Sequence, residues 1–289
     1  MSSGLRKTVT SLGLLAVALV LLVFSQSSIL QDGNGAASAL AQNPNSSEAT
    51  FANCRYGASP LDRAHTSVIS DIGAGWYLNF QGMPPAGSEP DNGAEFAHMI
   101  DVHQKKCGEN CYLPEVEFNP PLNAAFAKYI RNNRGGKYIA GNETDRIGQG
   151  ETHPDIYAAA YHEIYNFVKS NDPSAQVAIT ALVQFTPNRQ QYLDKVWNSY
   201  IQQFGTYMPV DIWTMHIYVL PELMADGVTP NNIASIALGT DKSLGKREAG
   251  GNSALCSDSD VYCFAEHDDL EVFKEHIVAM RTWMKKHGQ

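Results

Sequence analysis

The chain has 289 residues, enough for one large domain or two small ones with a sizeable core. Hydrophobic residues make up 44% of it, which argues against a disordered chain. The net charge is -9 and no basic cluster alternates with aromatics, so no nucleic-acid partner is expected; a neutral polymer or a small molecule is compatible.

Arg6 and Lys7 precede an apolar run from Leu12 to Phe24, the charge-then-apolar order of a secretory signal peptide. The run is short for a stand-alone transmembrane helix, and Ala39-Leu40-Ala41 offers a small-x-small cleavage site. An uncleaved membrane anchor on a flexible stalk is the competing reading, and both place the protein outside the cytoplasm. Residues 1–30 thus read as signal peptide or anchor, 31–60 as a leader or linker, and 61–289 as the folded domain. Five cysteines suit export. Cys107 with Cys111, and Cys256 with Cys263, are spaced for two short disulfides, leaving Cys54 over. No CxxC pair or His-x-x-x-His spacing points to zinc, and no metal is expected.

Val68 to Ile72 and Gly75 to Phe80 are β-rich runs bounded by glycine. Trp76 near the end of the second is either a sugar-stacking aromatic or a core residue, and Asn79 closes that strand. Phe96 to His103 is a strand or a short helix; periodicity leaves both open. Tyr112 to Phe118 is extended, with Glu115 and Glu117 solvated, and Leu122, Phe126, Tyr129 and Ile130 recur at helical spacing.

Lys137 to Ala140 is a short β-prone run followed by Gly141-Asn142-Glu143-Thr144-Asp145-Arg146, and Pro154 then opens a helix. An acid-amide pair at the C-terminal end of a strand lies where parallel α/β sheets and barrels carry their chemistry. A carboxyl there protonates a leaving group if its pKa is raised. The plainer reading of Glu143 is an exposed loop acid, and of Asn142 a loop cap or, with Thr144, a formal glycosylation sequon. Asp145 and Arg146 read either as a loop ion pair that positions Glu143 or as a pair that contributes nothing measurable.

The alternation continues with a helix from Pro154, an apolar strand over Val177 to Val183, and a helix from Thr186-Pro187. Asp211 to Val219 is the next strand, with His216 and Tyr218 on one face by period-two alternation. There they bond a substrate or orient a nucleophile, or else His216 is a satisfied core histidine. Gln184 after the Val177 strand is a candidate sugar contact. A long insertion from Leu220 to about Glu266 precedes a last helix from Asp268; Glu222 and Glu266 read as solvated. No strand is followed by a Gly-rich phosphate loop or a Gly-x-Ser-x-Gly elbow, so no cofactor is expected. Strand-helix alternation of this kind gives a (β/α) barrel or a doubly wound sheet.

Four pieces together resemble a clan-A glycoside hydrolase, and in particular glycoside hydrolase family 128. They are Gly141-Asn142-Glu143-Thr144-Asp145 after a fourth strand, Trp76 to Phe80 as an aromatic first strand, Asp211 to Tyr218 as a sixth, and the helix ending Arg281-Thr282-Trp283-Met284. The resemblance implies an α/β fold, a (β/α)8 TIM barrel. It makes Glu143 the general acid/base and Asn142 a partner of the sugar 2-hydroxyl, with Trp76, Asn79, His216 and Tyr218 facing an oligo- or polysaccharide. Thr144 departs from the usual Pro. The nucleophilic Glu of a retaining enzyme, about 5 Å from the acid/base, belongs on a seventh strand that would follow Gln289. An incomplete barrel with its last strands missing is therefore expected, a fragment inactive alone and derived from a secreted retaining glycosidase. The alternative is a non-catalytic carbohydrate-binding pseudoenzyme. A metal-dependent hydrolase using His216 and His267 lacks ligand spacing.

Overall fold

A computed structural model describes residues 20–23, 53–59, 66–84, 87, 89–223, 228–231, 234–245 and 269–289. In chain order the elements are β1 (Val20–Val23), β2 (Asn53–Ala58), α1 (Thr66–Asp71), β3 (Ala74–Tyr77), β4 (Glu95–Gly108) and β5 (Cys111–Asn119). There follow α2 (Ala124–Asn132), β6 (Lys137–Ala140), α3 (Pro154–Asn171), β7 (Gln176–Ala178), α4 (Pro187–Phe204), β8 (Trp213–His216) and α5 (Leu270–Lys286).

Strands β2, β3, β4, β6 and β7 pair in parallel, each with the next. β8 joins through parallel bridges from Ala178 to Ile212 and from Leu182 to Met215. A doubly wound sheet reverses its strand order at a switch point. This order never reverses, so the sheet is the arc of an incomplete (β/α)8 barrel. β5 lies off the arc as the antiparallel partner of the long β4.

Side-chain alternation divides the core in two. Trp76, Leu78, Ala97, Met99, Ile139, Ala178 and Ile212 cluster on one face of the sheet. Ile100, Val102, Tyr138, Val177, Trp213 and Met215 face the other way, against Tyr157, Ile164, Val168, Val196 and Trp197 of α3 and α4 and Met280 and Trp283 of α5. Full burial of each such aliphatic side chain contributes roughly 1.5–3 kcal/mol. Pro154 and Pro187 open their helices in the first turn, and Asp269 caps α5 by accepting from the Glu271 and Val272 amides.

Two expectations are revised and one open choice is settled. Asn53–Ala58, inside the stretch read as linker, is a strand, so the Trp76 strand is second rather than first and Glu143 follows the fourth. Glycine hides this pairing: a Cβ at Gly57 would lie 2.1 Å from the Trp76 ring, and one at Gly75 2.5 Å from Asn53 O. Val68 to Ile72 falls largely in helix α1, where Ile69 is buried while Val68 and Ile72 are exposed, a one-sided burial that overrides β-propensity. Phe96 to His103 is strand, its open choice settled by pairing on both sides. Within the apolar leader run, Val20–Val23 pairs antiparallel with β8, Val20 opposite His216 and Val23 opposite Trp213. Among the described residues no helix is long and apolar enough to cross a membrane.

Candidate active site

The loop from Gly141 to His153 leaves β6 and doubles back tightly. Gly141 sits at φ 89, and a Cβ there would meet Thr144 Cγ2 at 2.7 Å. A Cβ at Gly150 would lie 2.5 Å from Asn142 O. Glu143 has a left-handed backbone, φ 47, unusual for a side chain of its size. Its amide donates to Ala181 O at 3.0 Å, and Thr152 N donates to Thr144 O at 2.9 Å. Two buried tyrosines brace the loop: Tyr157 Oη donates to Ala140 O at 2.7 Å, and Tyr192 Oη to Thr152 O at 2.8 Å.

Glu143 is 2% exposed, so it is not a solvated loop acid. His216 Nδ1 donates to its Oε1 at 2.9 Å, and Arg146 Nη1 to its Oε2 at 2.9 Å. Burial pushes the Glu143 carboxyl up, but His216 and then Arg146 outweigh it and hold the group below the ordinary value. Two donors thus keep Glu143 a carboxylate, so these contacts do not meet the condition for proton donation, a raised pKa. Tyr218 is half-buried with its ring 6.0 Å from that of His216, and burial and the Glu143 charge raise its hydroxyl pKa. The side-chain oxygens of Asn142 and Asn79, and Nε of Arg146, are buried without a hydrogen-bond partner among the described residues. Such atoms cost about 1–3 kcal/mol each unless a ligand or water meets them.

Other sequence expectations fail on contacts. Trp76 packs into the apolar cluster with Met99 and Ile139, so it is core and not a sugar-stacking face. Gln184 is fully buried, with Nε2 donating to Leu220 O at 2.8 Å and Oε1 accepting from Leu220 N at 3.1 Å; its amide holds the chain after β8 and not a sugar. Asp145 pairs with Arg189 Nη1 at 2.7 Å rather than with Arg146. Glu222 is buried, accepting from Arg189 Nε at 2.9 Å and Thr186 Oγ1 at 2.5 Å. Arg189 also donates to Ser235 O, so one fully buried guanidinium ties Asp145, Glu222 and Ser235 together. Burial pushes the Asp145 carboxyl up against the pull of Arg189. Sequence reasoning missed Arg189, although a cation in the first turn of a helix opposes the dipole and signals another task.

Cys107 and Cys111 form a disulfide at the tip of the β4–β5 hairpin. Cys54 is an exposed free thiol. Cys256, Cys263, Glu266 and His267 lie outside the described residues, among which no group of three or more His, Cys, Asp or Glu is placed to hold a metal ion.

A carboxylate gripped by an imidazole and a guanidinium at a strand end can take a proton from water or a hydroxyl and return it. No family model and no curated protein matches the sequence. The solved structures that the fold resembles are family 128 endo-β-1,3-glucanases. One from Sorangium cellulosum is 19% identical, with TM-score 0.39, over 59% of this chain and 62% of that one. One from Pseudomonas viridiflava is 12% identical, with TM-score 0.40, over 56% and 60%. One from Amycolatopsis mediterranei, in complex with laminaritriose, is 17% identical, with TM-score 0.38, over 55% and 54%. The matched region thus spans little more than half the length of these enzymes.

Proposed function

We propose that this protein is a secreted glycoside hydrolase that cleaves O-glycosidic bonds of a polysaccharide, a β-glucan by the sequence resemblance. The observation that carries the reading is Glu143: a buried carboxylate on a left-handed backbone at the end of the fourth parallel strand, held by His216 and Arg146. Backbone strain of about 1–3 kcal/mol persists where the surroundings enforce it, and such residues cluster at active sites.

Glu143 donates a proton to the glycosidic oxygen and then deprotonates water. Asn142 and Asn79 meet substrate hydroxyls with their unpartnered oxygens, and His216 with Tyr218 lines the cleft. A retaining reaction needs a second carboxylate about 5 Å away. Asp145 and Glu222 are committed to Arg189, so the second group is assigned to the seventh strand that the resemblance calls for. Its negative charge, with water excluded by the sugar, lifts Glu143 into the acid form. The leader from Arg6 to Phe24 supports export.

The test is hydrolysis of a β-1,3-glucan by protein that includes the seventh strand. Glu143→Gln is expected to lower kcat by roughly 10²–10⁴-fold, the range for removing a general acid/base. Undiminished turnover in that variant overturns the assignment. The commitment of Asp145 and Glu222 to Arg189 leaves one other reading open: a saccharide-binding pseudoenzyme. It predicts saturable oligosaccharide binding with no reducing ends released.

A further inference from the structure

Beyond Ile100, β4 leaves the parallel arc and forms a hairpin with β5, whose tip reaches the loop that carries Glu143. Lys106 and Tyr112 face each other across the hairpin, each next in sequence to one cysteine of the Cys107–Cys111 disulfide. Lys106 Nζ and Tyr112 Oη both donate to Glu151 Oε1, each at 2.7 Å, and the Lys106 ammonium lies 5.4 Å from the centre of the Tyr112 ring. Glu151 Oε2 accepts from Gly148 N at 3.1 Å. Nearer the base of the hairpin, Gln104 Oε1 accepts from His153 N at 2.8 Å, while its Nε2 donates to Leu113 O at 2.6 Å.

Glu151 is the second non-glycine residue of this loop with a positive φ, at 32. Its amide donates to Arg146 O at 3.2 Å, and Arg146 N donates to Glu143 O at 2.9 Å. A continuous path therefore runs from the disulfide, through Lys106 and Tyr112, to Glu151, to Arg146 and to the Glu143 carboxylate that Arg146 holds. Burial pushes the Glu151 carboxyl up, and Lys106, Tyr112 and Gly148 N pull it below its ordinary value, so it meets its donors as a carboxylate.

We propose that Glu151 is a positioning residue for Glu143, and that the Cys107–Cys111 disulfide sets the grip on Glu151. The catalytic consequence rests on the reading of Glu143 as acid/base; the grip itself does not. Both cysteines are exposed, so a thiol reductant reaches them. One thiolate of dithiothreitol attacks Cys107 Sγ or Cys111 Sγ, and the S–S bond breaks. The second thiolate then closes the oxidised dithiothreitol ring, leaving two cysteine thiols: two electrons and two protons have moved to the protein. The hairpin keeps its lower rungs, but the pair that grips Glu151 loses the covalent link beside it.

Amide hydrogen exchange of Arg146, Glu151 and Thr152 tests this in the oxidised protein, the dithiothreitol-reduced protein, Glu151→Gln and Lys105→Gln. Reduction and Glu151→Gln are each expected to speed exchange about tenfold, the scale of one lost charge-assisted hydrogen bond. Reduced Glu151→Gln should be no faster than either alone, because both break the same link. Lys105, which pairs with Glu117 at 3.4 Å on the same hairpin, is the control and should change nothing. Unchanged exchange on reduction, multiplying effects, or equal acceleration at the Ile164 amide of α3 overturns the proposal. In a protein that hydrolyses glucan, Glu151→Gln and reduction should each lower kcat while leaving KM within about twofold. If the oxidised wild type hydrolyses nothing, the proposed function fails while the exchange result still decides the grip.

Discussion

Glu143 shows backbone and side chain constrained together, since its φ of 47 aims the carboxylate at His216 and Arg146. Arg146→Met removes one of the two donors, so the Glu143 pKa should climb from its lowered value, read by carbon-13 titration of the carboxyl. A carboxyl with a depressed folded pKa stabilises the fold above its ordinary value and loses that contribution as pH falls through the folded one, so this variant should show a weaker acid-side dependence. His98 also costs stability on acidification, for the opposite physical reason: its surroundings favour the neutral form. Burial against Tyr138, whose ring it stacks on at 4.6 Å, pulls its pKa down to about 4 although Gly82 O favours the charged ring. The unfolded chain takes up the proton first, so stability should fall as pH drops from about 6.5 to about 4. The full loss is about 3 kcal/mol, and His98→Gln should flatten it in urea titrations. Glu143 was legible in the sequence because a strand, a loop and a helix start frame it. Gln184, Trp76, Glu222 and Arg189 were not, because period and polarity say which face a side chain takes and not which distant group meets it.

At the level of elements, the acid-bearing loop has its shape from α3 and α4. Tyr157 Oη donates to Ala140 O and accepts from Thr180 N at 2.8 Å, joining β6 to the segment after β7. Tyr157→Phe strands both buried backbone groups and is expected to cost about 1–3 kcal/mol in chemical denaturation. A loss below about 0.5 kcal/mol would mean that the loop is shaped by packing alone. The helices were readable because proline at the start and a 3.6-residue apolar stripe are local signals. Strand β2 was not: its exposed Asn53, Arg55 and Tyr56 alternate with nothing apolar, and its place depends on Trp76 filling the space beside Gly57.

Across the whole molecule, strand-helix periodicity alone could not separate a barrel arc from a doubly wound sheet, since both are built from the same units; the family resemblance chose the barrel, and the strand order bears it out. An open arc has edges, and here Val20–Val23 covers β8. A chain lacking residues 1–30 should therefore self-associate more at the same concentration, measured by light scattering; a strictly monomeric product would show that the β8 edge needs no cover. Arg189 has the widest reach. Because one guanidinium serves the Asp145 loop, Glu222 and Ser235, the segments that Arg189 joins are not interchangeable modules. A designer who grafts a foreign loop in place of residues 220–245 would strip the buried Arg189 of Glu222 and Ser235 and leave it with Asp145 alone. Changes here come in blocks: residues 220–245 and the loop that carries Glu143 have to be altered together, because Arg189 joins them.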